Sequence, residues 1–247
     1  MYLLLLALAP AIILMMYVYF RDRYEKEPIK LILKGILLGA VILFPVGLVE
    51  NYISGFGKEL PRISKAAWDG FVVAGATEEA FKYFAVFILV WRNRNFNEKF
   101  DGIVYAVSVS LGFAATENLF YVFSESSMQV GVLRAFTAVP GHAIFGIVMG
   151  YYLGLARFSS DQRSKWLLRA FMVPWLMHGL YDFLLMSGHP VLILVFIPFL
   201  VFMYRLGLKR MKEFNAESVF NPANISFTTQ DETQYNRDKN DTEPNKY

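Results

Sequence analysis

Residues 66–91 read AAWDGFVVAGATEEAFKYFAVFILVW. In helical form this run extends about 39 Å at about 1.5 Å per residue, more than the roughly 30 Å hydrocarbon core of a bilayer. Glu78, Glu79 and Lys82 nevertheless stand in its middle. An ionisable side chain in hydrocarbon is costly on every insertion scale, so its presence there marks a candidate functional position. One stretch therefore points both to a helical membrane protein and to charged chemistry inside it.

Composition agrees. The chain has 247 residues, 55% hydrophobic and only 18% charged, against about 25% charged in soluble domains. Lipid is the solvent this surface suits. The absence of Cys excludes a disulfide framework, a thiolate metal site and a cysteine nucleophile together. There is no Gly-rich phosphate loop and no basic-aromatic surface of the kind that binds nucleic acid.

Six further apolar runs, at residues 1–20, 31–53, 103–123, 132–155, 167–186 and 190–208, bring the expected count to about seven transmembrane helices. The first lacks the basic start and small-residue cleavage site of a signal peptide, so it is read as a retained helix. Alternate connections carry unequal basic charge. One set holds Arg21, Arg23, Lys26, Lys30, Arg92, Arg94, Lys99, Arg157, Arg163, Lys165, Arg169, Arg205, Lys209, Arg210 and Lys212, whereas the other holds Lys58, Arg62, Lys65 and Arg134. The positive-inside rule makes the first set cytoplasmic, with the N-terminus outside and the C-terminus inside. The expected fold is an all-α polytopic bundle over residues 1–212. Residues 213–247, polar and acidic, read as a disordered cytoplasmic tail.

Beyond the third run, Glu117 lies in the fourth, His142 in the fifth, and His178 with Asp182 in the sixth. Counting about 1.5 Å per residue from the outer ends, Glu78 is roughly 18 Å deep, His142 roughly 15, His178 roughly 12, Glu117 roughly 10 and Asp182 roughly 6. Four helices thus bring polar groups to one slab in the outer half of the membrane, which a single cavity would produce. Glu78 and Lys82 are spaced i,i+4, as are His178 and Asp182, so an ammonium can neutralise a carboxylate and a carboxylate can orient an imidazole. Glu78 and Glu79 are about 100° apart around a helix, which favours one, Glu78, as the cavity-facing carboxylate. Glu50 and Asp69 are read as interfacial and His189 as a loop residue.

A buried carboxylate can take a proton from water and return it to a leaving amine, and imidazoles can donate to the oxyanion formed as water attacks a carbonyl. The inventory fits amide hydrolysis by activated water. Ser108 and Ser110 sit near the inner end of their helix, away from both imidazoles, which argues against a serine nucleophile. No H-E-x-x-H pair is present. No cofactor is expected, with an open zinc site on Glu117, His142 and His178 as the alternative.

These residues fall in four ordered motifs: EEAFK at 78–82, FDGIVYAVSVSLGFAATEN at 100–118, GHAIFGIVMGYYLGLARF at 141–158 and MHGLYDF at 177–183. Across about residues 9–209 the sequence resembles the PrsW family of intramembrane proteases, within the superfamily that includes the CAAX prenyl endopeptidases. The resemblance implies a bacterial multi-pass membrane protease cutting a single-span membrane protein, an anti-sigma factor, on its extracytoplasmic side. It assigns catalytic roles to Glu78, Glu79, Glu117, His142 and His178; helical spacing adds Lys82 and Asp182 in supporting roles. One departure stands out: the superfamily's FxxxH motif reads FAATE at 113–117, with a carboxylate in place of the imidazole. The residues themselves leave two other classes open, a proton- or ion-coupled transporter and a non-catalytic receptor or scaffold.

Overall fold

A computed structural model of the chain describes residues 2–125 and 128–225. Nine α-helices account for most of them: α1 (Tyr2–Arg21), α2 (Ile29–Ser54), α3 (Arg62–Ala67), α4 (Thr77–Val90), α5 (Lys99–Glu125), α6 (Met128–Phe136), α7 (Ala138–Arg157), α8 (Arg163–Met186) and α9 (Pro190–Ala216). A π-helical segment, Trp68–Ala76, joins α3 to α4. There is no strand among the described residues. α9 runs four residues past the expected boundary at Lys212, and residues 226–247 of the expected tail lie outside the described residues.

The bundle is arranged around α5 and the α6–α7 pair. Within their apolar windows 72% and 67% of residues are buried, against 22% in α1, 28% in α2 and 17% in α9. The peripheral helices turn Phe20, Leu37, Leu48, Ile88 and Leu194 outward, as lipid-facing side chains must. In a bilayer the tails are as apolar as leucine, so helices associate through close backbone approach at small residues. Gly102 and Gly150 supply that approach between α5 and α7: a Cβ on Gly150 would stand 2.2 Å from the Gly102 carbonyl oxygen.

Five helical stretches are long and apolar enough to cross a membrane: Leu3–Arg21, Ile29–Gly57, Lys99–Ser124, Met128–Arg157 and Pro190–Ala216. The protein is a multi-pass helical membrane bundle. The two further runs expected to span, residues 66–91 and 167–186, are helical but fall outside this set. The first is divided into α3, the π-helical segment and α4, and α8 carries Arg163, Lys165, Arg169, His178 and Asp182 along its length. In α8 the charged and polar side chains lower the hydropathy of the run.

The π-helical segment brings the third run against α8. A Cβ on Gly70 would lie 2.8 Å from the Phe183 amide nitrogen, and one on Gly179 would lie 2.3 Å from the Phe71 ring. The Trp175 indole of α8 donates to the Phe71 carbonyl at 2.6 Å, tying the segment to α8. π-Helical turns are uncommon and cluster at functional sites; this one ends directly before Thr77-Glu78-Glu79.

Candidate active site

α4 presents Glu78, Glu79 and Lys82, all buried. The Lys82 ammonium donates to Glu78 Oε2 at 2.8 Å and Glu79 Oε1 at 2.9 Å, and it lies 3.0 Å from His142 Nδ1. It also sits over the Phe113 ring, 4.2 Å from its centroid, a cation–π contact that gains strength where water is excluded. An ammonium has only protons to offer, so His142 accepts through Nδ1 and carries its own proton on Nε2. That nitrogen donates to Glu117 Oε2 at 3.1 Å.

Glu117 is held from the other side by Arg134, whose Nη2 donates to the same oxygen at 2.7 Å while Nε donates to Asn118 Oδ1 at 3.0 Å. His178, from α8, faces carboxylates at both ring nitrogens: Glu79 Oε1 is 2.9 Å from Nδ1 and Asp182 Oδ2 is 3.3 Å from Nε2. Phe145 stacks on the imidazole with centroids 4.7 Å apart. The two imidazoles stand edge to face at 5.3 Å, and Nδ1 of each is 3.9 Å from Glu78 Oε2.

All seven residues singled out in the sequence, Glu78, Glu79, Lys82, Glu117, His142, His178 and Asp182, thus form one connected network across α4, α5, α7 and α8. A cavity of about 640 Å³ reaches it, lined by Glu78, Glu117, His142, His178 and Asp182, among others. Glu79 and Lys82 lie behind that wall. Exposed Leu133, Leu185 and Met186 also border the cavity, so it reaches the surface at the end of the bundle that holds the α2–α3 and α8–α9 connections.

Several participants were not singled out by sequence. Arg134, counted only as a connection charge, neutralises Glu117. Glu50 and Asp69, taken as interfacial, line the cavity. Ser110 lies closer than expected: its hydroxyl donates to the His142 backbone carbonyl at 2.6 Å, because α5 and α7 pack nearly backbone to backbone. That proton is directed to a carbonyl rather than to an imidazole, so Ser110 has no base beside it.

One donor atom from each of Glu78, Glu79, His142 and His178 falls within 4.8 Å of the others. Two imidazoles and two carboxylates form a zinc-type donor set, and Glu79 Oε2 is buried without a hydrogen-bond partner. These residues fit a metal ion in kind and spacing, but the Lys82 ammonium already engages Glu78, Glu79 and His142 Nδ1, so an ion entering there would displace it. Glu117, which the sequence put in a metal set with the two histidines, is instead paired with Arg134 outside this group.

Fold and site together define a helical membrane protein with a buried acid–imidazole centre, the class of an intramembrane hydrolase. The chain belongs to the PrsW family: the sequence model for "PrsW family intramembrane metalloprotease" matches residues 27–205. It is 38% identical to Protease PrsW of Bacillus subtilis (strain 168), with 83% of this chain and 92% of that protein aligned. Identity is 37% to Protease PrsW of Oceanobacillus iheyensis over 87% of this chain and 96% of the relative. It is 35% to Protease PrsW of Clostridioides difficile (strain 630), over 85% and 90%. No solved structure matches the chain. The protein is a membrane-embedded peptidase.

Proposed function

We propose that the protein cleaves a single-span membrane protein, an anti-sigma factor, near the extracytoplasmic side of its span, using water activated by Glu78. The observation that carries this reading is the cavity that joins Glu78, His142 and His178 to the end of the bundle opposite the basic connections. An apolar cleft between α2 and α5, lined by Leu43, Phe44, Leu48 and Phe120, meets Glu117 from the lipid-facing side. It offers a substrate span a lateral approach that a soluble substrate would not need.

In the proposed reaction Glu78 takes a proton from water as the water oxygen bonds to the scissile carbonyl carbon. The oxyanion that forms is met at the cavity wall by the uncommitted N–H groups of Arg134, while His142 and His178, whose ring nitrogens are already engaged, flank Glu78 Oε2 at 3.9 Å. Collapse re-forms the carbonyl and breaks the C–N bond while Glu78 returns the proton to the leaving amine. Glu79 and Asp182 hold His178, and Glu117 holds His142, so these three carboxylates act as positioning residues through the imidazoles. Lys82 holds Glu78 and Glu79 in place. Glu78, Glu79, His142 and His178 are the residues that would hold a metal ion; when bound, such an ion lowers the pKa of a coordinated water toward about 7.

The test is purified protein in proteoliposomes with a single-span anti-sigma factor, the new chain ends being mapped by mass spectrometry. The expected cut lies in the extracytoplasmic half of the span; a cut confined to the cytoplasmic half, or none, would overturn the proposal. Full activity after exhaustive chelation, with no metal by elemental analysis, would remove the metal from the reaction and leave the carboxylate pathway.

A further inference from the structure

A second group of carboxylates gathers at the other end of the bundle, where the basic connections lie. Asp22, Glu25 and Glu27 come from the α1–α2 connection, Glu98 from the α4–α5 connection and Asp101 from the first turn of α5. Asp22, Glu27 and Asp101 are each no more than 1% exposed. Asp101 lies sixteen residues before Glu117 on the same helix, about 24 Å at about 1.5 Å per residue, so this cluster is separate from the active site.

Three of these carboxylates share one construction. Asp101 Oδ2 accepts the backbone N–H groups of Asn97 at 2.8 Å and Glu98 at 2.7 Å. Glu27 Oε2 accepts the Tyr105 hydroxyl, and Glu25 Oε1 accepts Asn97 Nδ2 at 3.2 Å. In each the remaining oxygen, Asp101 Oδ1, Glu27 Oε1 or Glu25 Oε2, is buried and is offered no N–H or hydroxyl proton by the described residues, and neither oxygen of Asp22 is offered one. One oxygen anchors each group and the other receives no such proton.

The Lys26 ammonium acts on Asp22, but among the described residues its protons go to the carbonyls of Tyr19 and Asp22. Glu98 is held by the Ser218 hydroxyl. Buried charges are ordinarily paired or bound to metals; among the described residues no cation forms a salt bridge with Glu27 or Asp101, and these two carboxyl groups face each other within hydrogen-bonding reach. Burial first and the facing carboxylates second push Asp22 up to about 7 and Glu27 up to about 10.

From this geometry we infer that Glu25, Glu27 and Asp101, with Asp22 beside them, form a site for one hard divalent cation that ties the α1–α2 connection to the start of α5. The donors are all oxygen, which selects a hard ion over zinc. One oxygen of each of the three ligands falls within 4.8 Å of the others. Ca²⁺ takes six to eight oxygens in flexible geometry, whereas Mg²⁺ demands near-ideal octahedral geometry and dehydrates reluctantly, so a cage of protein carboxylates suits Ca²⁺ better. The ion would fix the base of α5, the helix that carries Glu117.

The test is Ca²⁺ titration of the full chain in detergent by calorimetry and by thermal unfolding, with Mg²⁺ as a competitor. Wild type should bind one Ca²⁺ at this site, unfold at a higher temperature when loaded, and prefer Ca²⁺ to Mg²⁺. Glu78→Gln should keep this binding, which separates the site from the active-site donors. Glu27→Gln and Asp101→Asn should each weaken it at least tenfold. Glu25→Gln alters a partly exposed side chain and should leave the fold intact while still weakening Ca²⁺. The inference is overturned if wild type binds no Ca²⁺ at millimolar concentration. It is also overturned if Ca²⁺ affinity is unchanged in Glu25→Gln, or is lost in Glu78→Gln and kept in Glu27→Gln.

Discussion

Replacing Lys82 by Met keeps most of the side-chain volume and removes one charge from the centre of the network. The ammonium is 1% exposed and lies 2.8 Å from a Glu78 oxygen, 2.9 Å from a Glu79 oxygen and 3.0 Å from His142 Nδ1. Without it two buried carboxylates face each other with no cation between them. Removing one partner of a buried pair costs about 3–5 kcal/mol, because the abandoned charge stays out of water. The assay is SDS-driven unfolding in mixed micelles, followed by the fluorescence of the chain's 4 Trp residues. The diagnostic quantity is the coupling. In a Glu79→Gln background one carboxylate charge is already gone, so Lys82→Met should cost less there, by about 0.5–3 kcal/mol in a double-mutant cycle. Additive losses would refute the reasoning, since independent effects mean the ammonium is not what makes the carboxylates tolerable.

Two further outcomes follow from the geometry. Gly150→Leu must force α5 and α7 apart, since even a Cβ there meets the Gly102 carbonyl oxygen at 2.2 Å; overpacking costs of about 1–3 kcal/mol and a loss of proteolysis are expected, and a variant with unchanged unfolding would contradict the close crossing. Asp22 and Glu27 bind protons more tightly in the folded chain, at about 7 and about 10, than at their ordinary 3.8 and 4.5. The native state therefore carries more protons above pH 4, and with chelator present the unfolding midpoint should fall from pH 5 to pH 8. The fall should be shallower in Glu27→Gln, and an unchanged slope would contradict the assignment.

Much of the fold was legible because lipid imposes one rule, long apolar helices, that composition reveals directly. Charges inside such runs stood out against that background, and helical spacing paired them locally: Glu78 with Lys82 at 2.8 Å and His178 with Asp182 at 3.3 Å. Partners distant in sequence carried no such signal. Arg134 meets Glu117 across the α5–α6 connection, seventeen residues on, and looked like any flanking basic residue. The π-helical segment was also invisible, since it is accompanied by close packing between distant residues, Gly70 against Phe183 and Gly179 of α8 against Phe71, rather than by a local pattern. The Asp22–Asp101 cluster escaped for the opposite reason: its members sit at helix ends, where carboxylates are ordinarily solvated, and only the packing buries them.

The most direct test of the proposed chemistry is the single-turnover cleavage rate of Glu78→Gln against wild type, on one single-span substrate in proteoliposomes, with both proteins monodisperse before reconstitution. Glutamine keeps the shape and removes the base, so the rate should fall at least about 100-fold with substrate binding retained. Cleavage within a few-fold of wild type would contradict the assignment of Glu78 as the group that activates water.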